Sequence, residues 1–202
     1  MSLIAGFVLM LTAADPVWPT LTSEQRPLVM HDLQKWQASE KAARELILAL
    51  PTADRAASMV VAIHFTEEAI GVEYNRVSYK SAEDQSAAFR AAALITDQLA
   101  TLADNLGFPE AAACHRQERD SGWQMAHGHN TKRARCRNAA YPDSFDAAAA
   151  EAYKGADRKL IAERSEDWAN AAHQVAILKA ELNMPDSSDP YRDEKVTPPI
   201  GL

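Results

Sequence analysis

Residues 81–107 read SAEDQSAAFRAAALITDQLATLADNLG. Ser81, followed three residues later by Asp84, makes a capping-box-like start. Phe89, Ala92, Ile95, Leu99, Leu102 and Leu106 then recur at steps of three and four, the spacing that lines up one face of a helix. No proline interrupts the run, and Gly107 supplies a C-terminal stop. Cap, stripe and stop agree on one long amphipathic helix.

The flanking stretches repeat the pattern. Upstream, a helix opens at Ser23, tolerates Pro27 in its first turn, and carries Val29, Leu33, Trp36, Ala43, Ile47 and Leu50 up to Pro51. Thr52 can cap a second helix with the stripe Ala56, Val60, Ile63, Ile70, Tyr74 and Val77. Downstream, Pro109 opens a shorter helix running to between Gln117 and Met125, which Ser121-Gly122 should disturb. An irregular basic connection over His127 to Pro142 follows. A fifth helix is expected from Ser144 to Asn183 through Leu160, Ile161, Trp168, Val175, Leu178 and Leu182. Gly155 either kinks it or marks its start. Residues 184–202, with Pro185, Pro190, Pro198 and Pro199 among charges, read as a flexible or extended tail. The fold expected is all-α: an antiparallel up-down bundle of four to five helices over residues 15–183, with a flexible Pro-rich C-terminal tail.

Composition agrees. The 202 residues hold thirty-nine alanines, few glycines and few β-branched side chains, which favours helix throughout. Collagen-like, disulfide-dense and wholly disordered classes are excluded. The formal charge of −7 argues against a dedicated nucleic-acid binder. There is no GxSxG elbow, SxxK, CxxC, CxxCH or glycine-rich phosphate loop, so nucleophilic, thioredoxin-like, haem-attachment and nucleotide chemistries lack their signatures.

The run from Ser2 to Ala14 is uncharged and apolar, ends in small residues, and is too short for a bilayer span of about 20 residues. Residues 1–14 therefore read as a signal peptide cleaved before Asp15-Pro16, placing the protein in the periplasm or outside the cell. No basic residue precedes Arg26, so the competing reading is an apolar first turn docked on the core of a cytoplasmic protein. Export and a Cys114–Cys136 disulfide are linked expectations, because the bond persists only in an oxidising compartment.

Two features carry candidate chemistry. Glu40 fills the gap in the first stripe between Trp36 and Ala43, and Glu67 fills the gap in the second between Ile63 and Ile70. A hairpin at Pro51-Thr52 would set them at matching heights, with His64 one turn from Glu67. His115 and Glu118 repeat the HxxE spacing on the fourth helix. Buried carboxylates must be neutralised, paired or metal-bound. Glu40, His64, Glu67, His115 and Glu118 are thus candidate ligands for iron, manganese or zinc, and Arg44 and Arg76 are candidate counter-ions for an unmetallated arrangement. A glycosidase-type use of Glu40 and Glu67 lacks a cleft. His127-Gly128-His129 could join Cys114, His115 and Cys136 around zinc only with reduced thiols.

The second feature is a local reversal of charge. Arg116, Arg119, Lys132, Arg133, Arg135 and Arg137 outnumber Glu118 and Asp120 between Cys114 and Arg137. That patch suits another protein or an anionic envelope component, or else it is neutralised within the chain. It lacks the aromatic platform of an RNA binder. The function expected is that of a non-catalytic, exported, envelope-associated helical protein acting through protein contacts and needing no cofactor. The alternative is a metal-binding bundle with redox or hydrolytic activity.

Overall fold

The computed structural model describes residues 18, 20–48, 55–77, 81–136, 147 and 158–193. Five helices appear there: α1 (Gln25–Leu48), α2 (Arg55–Val77), α3 (Ala82–Leu106), α4 (Pro109–Ala126) and α5 (Arg158–Glu181). Among the described residues the molecule is an all-α bundle.

α3 is the central helix, packing on α4, α2 and α5. Its local signals are realised as the sequence implies. The Asp84 N–H donates to Ser81 Oγ, and Gly107 adopts φ 81° while its N–H reaches the carbonyls of Ala103 and Asp104. Left-handed backbone costs glycine nothing, so the helix stops there. α3 buries more than one stripe, because helices cover it on several sides. Ala87, Ala91, Ala93, Ala100 and Ala103 are buried beside Ile95 and Leu99.

α4 runs unbroken from Pro109 to Ala126, so Ser121-Gly122 is not a disturbance. There α4 lies close against α3: a Cβ added to Gly122 would lie 3.2 Å from Ala93 Cβ. The missing side chain permits the approach.

α1 packs mainly on α5 and touches α2 at few points, so the first two helices do not form the tight hairpin expected of sequence neighbours. The buried face of α2 is also rotated from the expected stripe. Met59, Ala62, Thr66, Ala69 and Glu73 define it, together with Val60, Phe65 and Ile70. Small residues lead this face because α2 fits between α3 and α5. Two tryptophans, Trp123 and Trp168, are fully buried.

α5 ends at Asn183, whose φ of 53° closes the helix, with the Met184 N–H donating to the Lys179 carbonyl. Residues 144–157, including Gly155, lie outside the described residues apart from position 147. The tail expectation requires correction over residues 184–193, which form turns. Asp186 accepts hydrogen bonds from Lys179 Nζ (2.5 Å) and from the N–H and hydroxyl of Ser188. Asp189 accepts the Tyr191 N–H and lies 2.8 Å from His127 Nε2. Short polar side chains that bond neighbouring backbone hold such turns without an apolar period.

Candidate functional site

The residues after α4 turn back along it. The His127 N–H closes the helix on Trp123, and Gly128 at φ 77° reverses the chain. Residues 127–136 then form a strap over the outer face of α4, attached at successive points. Ser121 Oγ donates to the Glu118 carbonyl and accepts the Ala134 N–H at 3.0 Å. Arg133 donates to Glu118 Oε1 from Nη2 (2.6 Å) and Nε (3.1 Å). Cys136 meets Cys114 at disulfide distance, with their Cα atoms 5.4 Å apart.

Beneath the strap lies the second HxxE pair. His115 and Glu118 are both buried, and His115 Nδ1 approaches Glu118 Oε2 at 3.4 Å. Burial alone would push the Glu118 carboxyl up. The His115 imidazole and the Arg133 guanidinium outweigh that and hold it below the ordinary range. Glu67 of α2 belongs to the same neighbourhood but keeps an exposed side. Partial burial and then the Glu118 charge push its carboxyl up, against the lowering influence of Arg133, His115 and Arg135. Arg133 thus pairs directly with Glu118, and together with His115 and Arg135 it opposes the charge of Glu67.

Glu40 is elsewhere. It sits on the α1 stripe as expected, but its Oε1 accepts from Gln98 Nε2 (2.7 Å) and Trp168 Nε1 (3.1 Å), with Arg44 Nη1 at 3.7 Å. The expected Arg44 partner is present. Glu40 and Glu67 therefore face different neighbours, one toward α3 and α5 and the other toward α4. The side chains of His64 and Arg76 lie outside the described residues. Among the described residues, no group of three or more His, Cys, Asp or Glu side chains is arranged to hold a metal ion.

Half of the basic patch is committed internally. Arg116 pairs with Asp104, Arg119 bridges Asp97 (2.6 Å) and Asp120 (2.8 Å), and Arg133 holds Glu118. Lys132 and Arg135 are exposed on the strap, and Arg137 lies outside the described residues. The two histidines of HGH both border the Tyr191 ring, with centroids 6.2 and 5.8 Å from it, but differ in their other partners. His127 is committed to Asp189, whereas His129 packs its ring near Tyr191 (5.8 Å) and lines a cleft of about 240 Å³. Gln85, Ser86 and Phe89 of α3 and Met125 of α4 form its other walls.

Sequence reading missed a further polar pair. Glu73 of α2 and His173 of α5 are both buried, with His173 Nδ1 2.6 Å from Glu73 Oε2. The usable signal was Glu73 in register with Met59, Ala62, Thr66 and Ala69. The larger aliphatic side chains drew the expected stripe away from it.

Comparison with protein-family models, curated proteins and solved structures finds no match to this chain. No described helix is long and apolar enough to cross a membrane.

Proposed function

We propose that this chain is an exported helical bundle that works by binding rather than catalysis, presenting the stapled strap to an acidic segment of another protein. The observation that supports it most is the division of the basic patch. Arg116, Arg119 and Arg133 are neutralised within the fold, while Lys132 and Arg135 stay exposed on a loop pinned to α4. A fixed pair of cations on a chain of net charge −7 is a local field that selects anionic contacts. Export is supported by the cysteine pair at disulfide distance. The leader that would direct it lies outside the described residues.

Binding of a labelled poly-glutamate peptide, titrated at low and at physiological salt, tests this reading. The intact protein should bind and lose affinity with salt, and Lys132→Glu with Arg135→Glu should abolish binding. Binding only to vesicles containing anionic lipid would assign the strap to an envelope surface instead. Binding to neither would overturn the reading.

The metal-binding alternative retains one support, the buried His115–Glu118 pair, although Arg133 supplies the balancing charge there. Stoichiometric iron, manganese or zinc in purified protein would establish it.

A further inference from the structure

We infer that the C-terminal end of α4 is a recognition site for a partner protein's acidic segment in which Asp and Tyr are separated by one residue, and that Asp189 and Tyr191 of this chain occupy it in cis.

The seat is shaped by α4 itself. The N–H groups of His127, Gly128 and His129 donate to the carbonyls of Trp123, Met125 and Gln124. Gln124 and His127, three positions apart, share a face of the helix end. His127 Nε2 lies 2.8 Å from Asp189 Oδ2, and Gln124 Nε2 donates to the Tyr191 hydroxyl at 2.6 Å. Tyr191 also packs against the buried cluster of Ala93, Trp123 and Ala126, with the rings of His127 and His129 centred 6.2 and 5.8 Å from its own. Carboxylate, phenol hydroxyl and aromatic ring are thus each met by their own partners. Such a seat reads a sequence, and negative charge alone does not satisfy it.

The seated residues have the character of a docked peptide. Asp189 is buried and Tyr191 partly buried, while Pro190 and Arg192 are exposed. Pro190 fixes its own φ, which limits the freedom lost on docking. α4 and α5 both pack on α3 but not on each other among the described residues, so residues 184–193 cross from the end of α5 to the end of α4. Asp186 accepts from Lys179 Nζ at 2.5 Å and so ties the near part of this segment to α5. A short tether holds residues 189–191 at an effective concentration on the order of millimolar, against which a partner's segment competes. The contacts at the seat are individually modest, which makes the cis segment displaceable. Neither Lys132 nor Arg135 belongs to this seat, so the strap reading above stands or falls separately.

Fluorescence anisotropy of a labelled peptide copying residues 184–193, titrated with the full chain, tests this. Asp189→Ala/Tyr191→Ala empties the seat, and that variant should bind the peptide at least about tenfold more tightly than wild type. Adding Gln124→Ala and His127→Ala should abolish the binding. A peptide with Ala at the positions matching 189 and 191 should not bind. Wild type gives a readout that needs no substitution: millimolar peptide should speed deuterium exchange at residues 189–193 and leave residues 91–100 of α3 unchanged. Absence of binding to the emptied variant, equal binding to both chains, or binding that survives loss of Gln124 and His127 would each overturn the inference. Unchanged exchange in wild type would do the same. Wild-type dimers that separate on adding peptide would also sink it, by placing a second copy's segment in the seat.

Discussion

Glu118 shows how one side chain ties the strap to the bundle. A carboxylate at this depth is stable because His115 and Arg133 supply charge and donors to it. Arg133→Ala should therefore destabilise the protein by about 2 kcal/mol in chemical denaturation, less than the roughly 3–5 kcal/mol of a fully enclosed pair because Arg133 is partly exposed. Glu67→Gln should be neutral or slightly stabilising, since it removes a charge that partial burial and then Glu118 disfavour. Acid makes a separate test. Glu118 and Asp186 both have folded-state pKa values below their ordinary ones, held down against burial by His115 and Arg133 in one case and by Lys179 and Ser188 in the other. A depressed carboxyl stabilises the fold fully above its unfolded value and loses that contribution as pH falls through the folded value. Urea midpoints measured from pH 6 downward should drop below about pH 4.5. Glu67, shifted upward, has the opposite sign and partly offsets the fall. In Glu118→Gln the drop should be shallower.

At the scale of elements, two positions report on helix packing and helix termination. Gly122 lets α4 approach α3, and the atoms it faces belong to the helix itself at Ala93. A branched side chain there must wedge the pair apart, so Gly122→Val should cost roughly 1–3 kcal/mol in thermal or chemical unfolding. Asn183 ends α5 in left-handed backbone, and Asn183→Ala should cost about 1 kcal/mol, with Asn183→Gly neutral or stabilising. These elements also show what the sequence made legible. The α3 boundaries and the α1 stripe with Glu40 were readable because caps, stops and large apolar residues coincide there. The α2 face was not, because a helix between two others is packed through alanine, threonine and Glu73, which carry little hydrophobic signal. The α1–α2 hairpin failed for a related reason: a short link fixes the order of helices, but apolar area decides which of them pack. Ser121-Gly122 looked like a break because propensity ignores the gain from close approach. The turns over 184–193 use aspartates and a histidine 60 residues and more away, a pairing that no local pattern reveals.

For the whole molecule, the chain is acidic overall with a basic patch on α4 and the strap that is half neutralised from within. The cysteine pair, separated by 22 positions, should stabilise the fold by roughly 3 kcal/mol relative to the reduced chain. That contribution exists only where the bond forms and persists, so stability, strap geometry and compartment are one connected claim. The most direct measurement is the intact mass of native, exported protein after alkylation, with and without prior reduction. The account predicts a chain beginning near Asp15 that takes up no label until reduced, and then takes up label at both Cys114 and Cys136. A native chain that retains Met1 and is labelled at both cysteines without reduction would contradict it.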